Sequence, residues 1–242
     1  MEDYGAETYG ERIAGVYDEL YADHDPAAIT LLNRLAGGGR ALELGIGTGR
    51  IALPLKQSGL QVSGIDASES MVARLHAKRG GKLIHVTQGD FADVPVTGKY
   101  ALIYVLFNTF YQLLTQDDQV RCMTNVASHL EPQGAFVIEA FVPDLSRFSG
   151  GQAVRAVDIR QDRVQLDVSQ HDSVRQRITS QHMFFEESGL RLYPVEIRYV
   201  WPSELDLMAR LAGLVLKQRW GDWHAGEFTA ASGKHISVYG RP

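Results

Sequence analysis

Arg40-Ala-Leu-Glu43-Leu-Gly45-Ile-Gly47-Thr-Gly49-Arg50 is the stretch on which the fold turns. A strand over Arg40–Leu44 carries an acid at its end, runs into a turn with a glycine at every second position, and is followed by a helix through Arg50–Ser58. Glycines so spaced let the backbone approach a ligand where a Cβ would collide. Several nucleotide-binding folds share such a turn after a strand, and the residue that follows it separates them. A dinucleotide fold wants glycine or alanine there for close helix packing, and this chain has Arg50. A phosphate-binding P-loop needs Gly-Lys-Ser/Thr, which is missing. The ligand of this turn is therefore not expected to be a di- or triphosphate.

Outward from the turn, strands alternate with helices. Val62–Ile65, Leu83–Thr87, Ala101–Leu106 and Ala135–Ala140 read as further strands. Ser68 caps a helix to about Arg79, and Thr115 with Asp118 opens one to about Leu130, before a turn at Pro132-Gln-Gly134. This alternation predicts an α/β, doubly wound Rossmann-like sheet. Upstream, Ile13, Val16, Tyr17, Leu20 and Tyr21 recur at helical spacing, so residues 1–36 are expected to form a helical lid, broken at Asp25-Pro26 and ended by Gly37-Gly-Gly39. Between 154 and 200 the period changes to two: Val164, Leu166 and Val168 alternate with Gln165, Asp167 and Ser169. That predicts a half-buried antiparallel sheet inserted at 151–200, serving as a substrate cap or an oligomer contact. Residues 37–150 and 201–242, with a helix at Ser203–Leu211 and strands at Val215–Trp220 and His235–Tyr239, form the main domain.

The 242 residues, 45% hydrophobic and 22% charged, suffice for one large core. A net charge of −5 and the lack of a Lys/Arg stripe argue against nucleic acid as a partner. One cysteine, Cys122, excludes an intrachain disulfide and suits a reducing cytoplasm. A start of Met1-Glu-Asp-Tyr-Gly5 gives no sign of a secretory signal, and no apolar run is long enough for a membrane span. The eight histidines form no ligand-spaced set, so no metal is expected.

Three acids follow three successive strands: Glu43, Asp66 and Asp90. In open α/β sheets ligands bind at the carboxyl ends of the strands, so these acids converge on one crevice. They suit a ligand with an ammonium, a ribose and an adenine amine, which S-adenosylmethionine combines. Glu43–Gly49, Ser63–Ser68, Gly89–Phe91 and His129–Glu139 resemble the successive motifs of class I S-adenosylmethionine-dependent methyltransferases. Ala101, where an acid is common, and Gln133, in place of a glycine, depart from that pattern. The resemblance implies a cofactor site built from Tyr17, Glu43, Gly45, Gly47, Gly49, Arg50, Asp66, Ala67, Ser68, Met71, Gly89, Asp90, Phe91 and Leu106.

A narrower resemblance concerns the acceptor. Tyr9, Val16-Tyr-Asp-Glu-Leu-Tyr21, Phe107-Asn-Thr-Phe110 and the β-rich insertion are similar to small-molecule N-methyltransferases of antibiotic pathways, lincosamide or deoxyaminosugar. It implies catalytic roles for Tyr9, Tyr17, Asn108 and Phe110, and an aromatic wall from Phe107, Phe110 and Tyr111 that suits a cation. His182 becomes a candidate base if the insertion lines the pocket. In-line methyl transfer depends chiefly on positioning, about 7–11 kcal/mol, against about 10²–10⁴-fold from a general base. A neutral amine needs no strong base, which favours N-methylation of a secondary metabolite. O-methylation of a small hydroxyl substrate, and a cofactor-binding module without turnover, remain as alternatives. Homo-oligomerisation through the insertion is also expected.

Overall fold

The computed structural model describes residues 4–21 and 23–242; Met1–Asp3 and Ala22, within the expected lid, lie outside the described residues. Its centre is a seven-stranded sheet in the order β10-β11-β5-β4-β1-β2-β3. Five strands are parallel: β1 (Ala41–Leu44), β2 (Val62–Asp66), β3 (His85–Gln88), β4 (Tyr100–Val105) and β5 (Leu130–Phe141). β10 (Val215–Trp220) and β11 (Lys234–Gly240) add antiparallel at one edge. The chain builds β1-β2-β3 in one direction and then returns to place β4 on the other side of β1. That reversal opens a crevice at the carboxyl ends of β1 and β4, which is where the glycine turn lies.

All four residues of β1 are buried because helices cover both faces of the sheet. Leu32 of α3 (Pro26–Ala36) and Leu55 of α4 (Ala52–Gln57) pack on one face, in the layer of Tyr104 and Val137. Met123 of α6 (Gln116–His129) and Leu205 of α7 (Pro202–Leu211) pack on the other, with Phe136 and Ile138. Ser68 caps α5 (Glu69–Ala77) by accepting from Met71 N at 3.1 Å, and Thr115 caps α6 by accepting from Asp118 N at 3.0 Å.

Local chemistry explains several departures from the expected elements. Asp25-Pro26 begins α3 as well as breaking the lid: Asp25 accepts from Ala27 N at 2.9 Å and proline occupies the first turn. The lid consists of two short helices, α1 (Thr8–Ile13) and α2 (Tyr17–Leu20), rather than one. Leu83 belongs to a 3₁₀ turn and β3 starts only at His85. Pro132-Gln-Gly134 is a wide bulge inside β5, since Tyr100 pairs with Leu130 while Leu102 pairs with Ala135.

The inserted segment forms a second, four-stranded antiparallel sheet of β6 (Gln152–Ile159), β7 (Arg163–Asp172), β8 (Arg177–Glu186) and β9 (Gly189–Arg198). The period of two holds, but the faces are inverted: Gln165, Asp167 and Ser169 are the buried residues of β7. The chain leaves the large sheet at Phe141 and returns to the main core at Val200. Tyr111, fully buried, directs its one hydroxyl proton between those two carbonyls, at 2.9 and 3.0 Å.

Candidate active site

The glycine turn holds its shape through Asp66. One oxygen of this carboxylate accepts from Gly47 N at 2.6 Å, the other from Ser68 N at 2.9 Å. Burial pushes the Asp66 carboxyl above its ordinary range, and the backbone donors only partly offset this. Gly45 has φ +68° and lies so close to Thr109 that a Cβ would stand 2.5 Å from its methyl. Gly47 has φ +54°, and a Cβ there would meet no atom within 4 Å. The turn therefore presents bare backbone to an open crevice.

The two lid helices close that crevice. Gly10 lets α1 lie against Ser68, while the Glu11 carboxylate accepts from Ser70 N at 3.0 Å and Ser68 Oγ at 2.7 Å. Asp18 pairs with Lys78 at 2.8 Å and accepts from Thr48 Oγ1 at 2.5 Å, which ties α2 directly to the glycine turn. Tyr9, Tyr17, Gly45, Gly47, Asp66 and Ala67 line the resulting cavity, with Met71 and Phe91 at one side. Its volume of about 60 Å³ is far below the ~300–1,000 Å³ of a small-molecule site.

Aromatic rings extend from this cavity. Tyr17 and Tyr21 lie 5.1 Å apart, and Tyr21 meets Phe107 edge-on at 5.3 Å. Arg50 places its guanidinium 4.1 Å from the Phe107 ring centre and donates to Asp23 O at 3.1 Å. Burial pushes the Tyr17 phenol up to about 12, partly countered by Arg50, and raises the Tyr9 phenol well above its ordinary value. Neither tyrosine is a base at neutral pH. Phe107 and Asn108 are consecutive residues with φ of 55° and 66°, a strained conformation for side-chain-bearing residues. Phe107 N donates to Glu139 Oε2 at 3.1 Å, and Glu139 is itself held by Trp223 Nε1 and Lys234 Nζ, both at 3.0 Å.

Other residues expected at the site stand elsewhere. Asn108 does not face the cavity: its carboxamide oxygen accepts from Phe141 N at 2.7 Å and holds the strained turn. Phe110 is fully buried in the core beside Tyr111, so the aromatic wall comes from the lid and Phe107 instead. Ser68 spends its hydroxyl on the α5 cap and on Glu11. Glu43 lies beneath the turn, 6% exposed, accepting from the Tyr104 hydroxyl at 3.0 Å, and burial pushes its carboxyl up to about 8. Asp90 caps its own loop by accepting from Ala92 N at 2.8 Å, and Gly89 beside it donates to Asp66 O at 3.0 Å. Gly49 sits under Leu75, and Leu106 is buried at the end of β4. Thr109 and Gln112 also line the cavity and were not anticipated. The turn after β4 was their signal, and its reading gave roles to Phe107, Asn108, Phe110 and Tyr111 instead. Among the described residues no three His, Cys, Asp or Glu side chains cluster as metal ligands, and no helix is long and apolar enough to cross a membrane.

Residues 41–134 match the methyltransferase domain family. The structure of the CcbJ methyltransferase from Streptomyces caelestis is similar at a TM-score of 0.92 and 38% identity, covering 98% of this chain and 99% of that one. The cypemycin N-terminal methyltransferase of a Streptomyces species is 27% identical over 239 residues, 96% of this chain and 97% of its own. CalS10, an amino pentose methyltransferase from Micromonospora echinaspora solved with S-adenosylmethionine bound, shares the fold at a TM-score of 0.72 and 19% identity, covering 94% of this chain and 97% of that one. The glycine turn, the Asp66 carboxylate beneath it and likeness along the whole chain make this protein a member of the class I S-adenosylmethionine-dependent methyltransferases.

Proposed function

We propose that this enzyme methylates an amine nitrogen of a small secondary metabolite. The observation that carries the reading is the cavity lining, in which Asp66 is the one carboxylate and Tyr9 and Tyr17 hold their protons to high pH. Such a lining has no group free to take a proton from a hydroxyl, whereas a neutral amine brings its own lone pair. The names of the relatives, an N-terminal methyltransferase and an amino pentose methyltransferase, point the same way. S-adenosylmethionine, when bound, supplies a sulfonium methyl open to in-line displacement. The fit of the residues to that group rests on bare backbone at Gly47 and the Asp66 oxygens for hydroxyl donors. Ala67, Met71 and Phe91, which line the cavity, would flank an adenine. Tyr17 and Tyr21 would orient the acceptor and exclude water.

Incubation with labelled S-adenosylmethionine and parallel panels of amines and hydroxyl compounds, read by mass spectrometry, tests this. N-methylated products are expected; products methylated only on oxygen would overturn the reading.

The outer face of the insertion sheet supports self-association with a second copy of the chain. Val154, Ile159, Leu190 and Leu192 are 70%, 72%, 51% and 47% exposed there, a patch of the kind that marks an interface. Light scattering of Leu190→Glu and Leu192→Glu variants is expected to report dissociation to monomers. A cytoplasmic setting fits the buried, unpaired thiol of Cys122.

A further inference from the structure

The inverted insertion sheet turns polar groups inward. Gln165, Asp167 and Ser169 are 9%, 8% and 3% exposed, and Ser180 and His182 of β8 stand opposite Ser169 and Asp167. Buried polar groups are costly unless they are hydrogen-bonded. Ser169 and Ser180 satisfy one another at 2.8 Å. Asp167 is thinly supplied. Among the described residues its only hydrogen-bond donor is Ser169 Oγ, at 3.4 Å, and no Lys or Arg lies within 4.0 Å. His182 Nδ1 stands 3.5 Å from it, buried and without a hydrogen-bond partner. A carboxylate has about four acceptor positions. One so buried and so thinly supplied is suited to a donor brought from outside.

The position of this pair suggests which donor. The pair sits on the sheet face turned to the lid: Tyr193, opposite His182, and Phe184, two residues on, pack in one cluster with Tyr17 and Tyr21, and Tyr17 lines the cavity. Burial pushes the Asp167 carboxyl up, but His182 and the longer-range charges of Arg147 and Arg155 outweigh it and hold the carboxyl below its usual range. The group is thus anionic at neutral pH, one aromatic layer outside the cofactor crevice.

We propose that Asp167 and His182 receive the acceptor amine on its way in, an assignment that rests on the amine reading above. Most alkyl amines arrive as ammonium ions. Asp167 accepts an N–H of that ion and faces the Nδ1 edge of His182, whose Nε2 takes one proton. The N–H bond breaks, its electron pair remains on the amine as the lone pair, and the proton forms the Nε2–H bond of an imidazolium whose Nδ1 edge faces Asp167. The amine then passes the lid neutral. The imidazolium returns its proton to water, His182 being 22% exposed.

Asp167→Asn and His182→Gln variants of the full chain test this. The substrates are labelled S-adenosylmethionine with amino sugars and with peptides bearing free N-termini, and S-adenosylhomocysteine affinity is measured in parallel. Asp167→Asn is expected to raise the amine KM about ten- to a hundredfold with kcat and S-adenosylhomocysteine affinity within about twofold of wild type. His182→Gln is expected to lose kcat/KM at neutral pH and recover it in alkali, where the amine arrives neutral; a merely structural residue would show no such recovery. Asp167→Ser keeps an acceptor without the charge and reads the same split should the Asn variant fail to fold. An unchanged amine KM, a His182→Gln defect that persists in alkali, or a parallel loss of S-adenosylhomocysteine affinity would overturn the assignment. Wild-type turnover of hydroxyl compounds alone would overturn the amine reading itself, and the role of this pair with it.

Discussion

Replacing Glu43 with glutamine separates what folding needs from what the ligand needs. Glu43 is 6% exposed and has one side-chain donor, the Tyr104 hydroxyl at 3.0 Å. Burial lifts its carboxyl from 4.5 to about 8 despite Tyr104 and the nearby Arg50 charge. Because the folded-state value is the higher one, the folded chain keeps this proton after the unfolded chain has released it. Stability is therefore fully present below the unfolded value and falls by about 1.4 kcal/mol per pH unit until the folded value is passed. Between about pH 5 and pH 8 this one group costs on the order of 3 kcal/mol. Glutamine keeps an acceptor for Tyr104 and has no proton to lose. Glu43→Gln is thus expected to be within about 1 kcal/mol of wild type near pH 5 and more stable by on the order of 3 kcal/mol near pH 8. Urea unfolding across pH, with unchanged m-values, reads the difference. If Glu43 faces the ligand ammonium, S-adenosylhomocysteine binding at neutral pH should also release close to one proton. Calorimetry in buffers of different ionisation enthalpy measures that release, which the glutamine variant should lose along with about tenfold in affinity. A variant no more stable than wild type in alkali would refute the burial argument. Undiminished affinity would refute the ammonium contact.

Gly45 and Gly47 should respond differently to alanine. At Gly47 (φ +54°, no atom within 4 Å of a Cβ) the cost is about 1–2 kcal/mol of backbone strain, but the methyl enters the crevice and S-adenosylhomocysteine binding should collapse. At Gly45 the same strain adds to a 2.5 Å approach to the Thr109 methyl, and thermal unfolding should show a further ~1–3 kcal/mol lost. Arg198, 6% exposed, donates to Gln119 at 2.5 Å, Gln176 at 2.9 Å and Glu204 at 2.7 Å. Its alanine variant strands those partners and should cost about 3–5 kcal/mol in urea unfolding. Burial alone would raise the Glu204 carboxyl, but Arg198 and Gln176 hold it below its ordinary value, so that stability is lost as pH falls through the folded value. Arg198→Ala should flatten that acid limb.

The parts of the fold set by backbone geometry were legible in the chain. The glycine turn, the Ser68 and Thr115 caps and the strand-helix alternation each rest on interactions within a few residues, and each occurs where expected. Asp66 was legible for the same reason, lying at a strand end that the topology carries to the crevice. What failed depended on distant partners. Asn108 looked free for chemistry because nothing nearby in sequence reveals that Phe141 N, 33 residues on, claims its oxygen. Phe110 looked like a wall because whether an aromatic side chain lines a cavity or fills a core is decided by elements far along the chain. The insertion showed its period but not its polarity. Alternation fixes that two faces differ, and only the tertiary contacts decide which of them turns inward.

The Tyr111 hydroxyl gathers the outgoing carbonyl of Phe141 and the returning carbonyl of Val200 at a single atom. Everything between them, the four-stranded sheet included, is thus a graft on a fixed stem, whose inner face also meets the lid through Phe184 and Tyr193. Its hairpin ends and outer face can be exchanged without disturbing β4 or β5, provided the stem keeps its two carbonyls and the lid keeps those contacts. One methyl-donating half could in this way serve many acceptors, each chosen by a different graft on the same attachment.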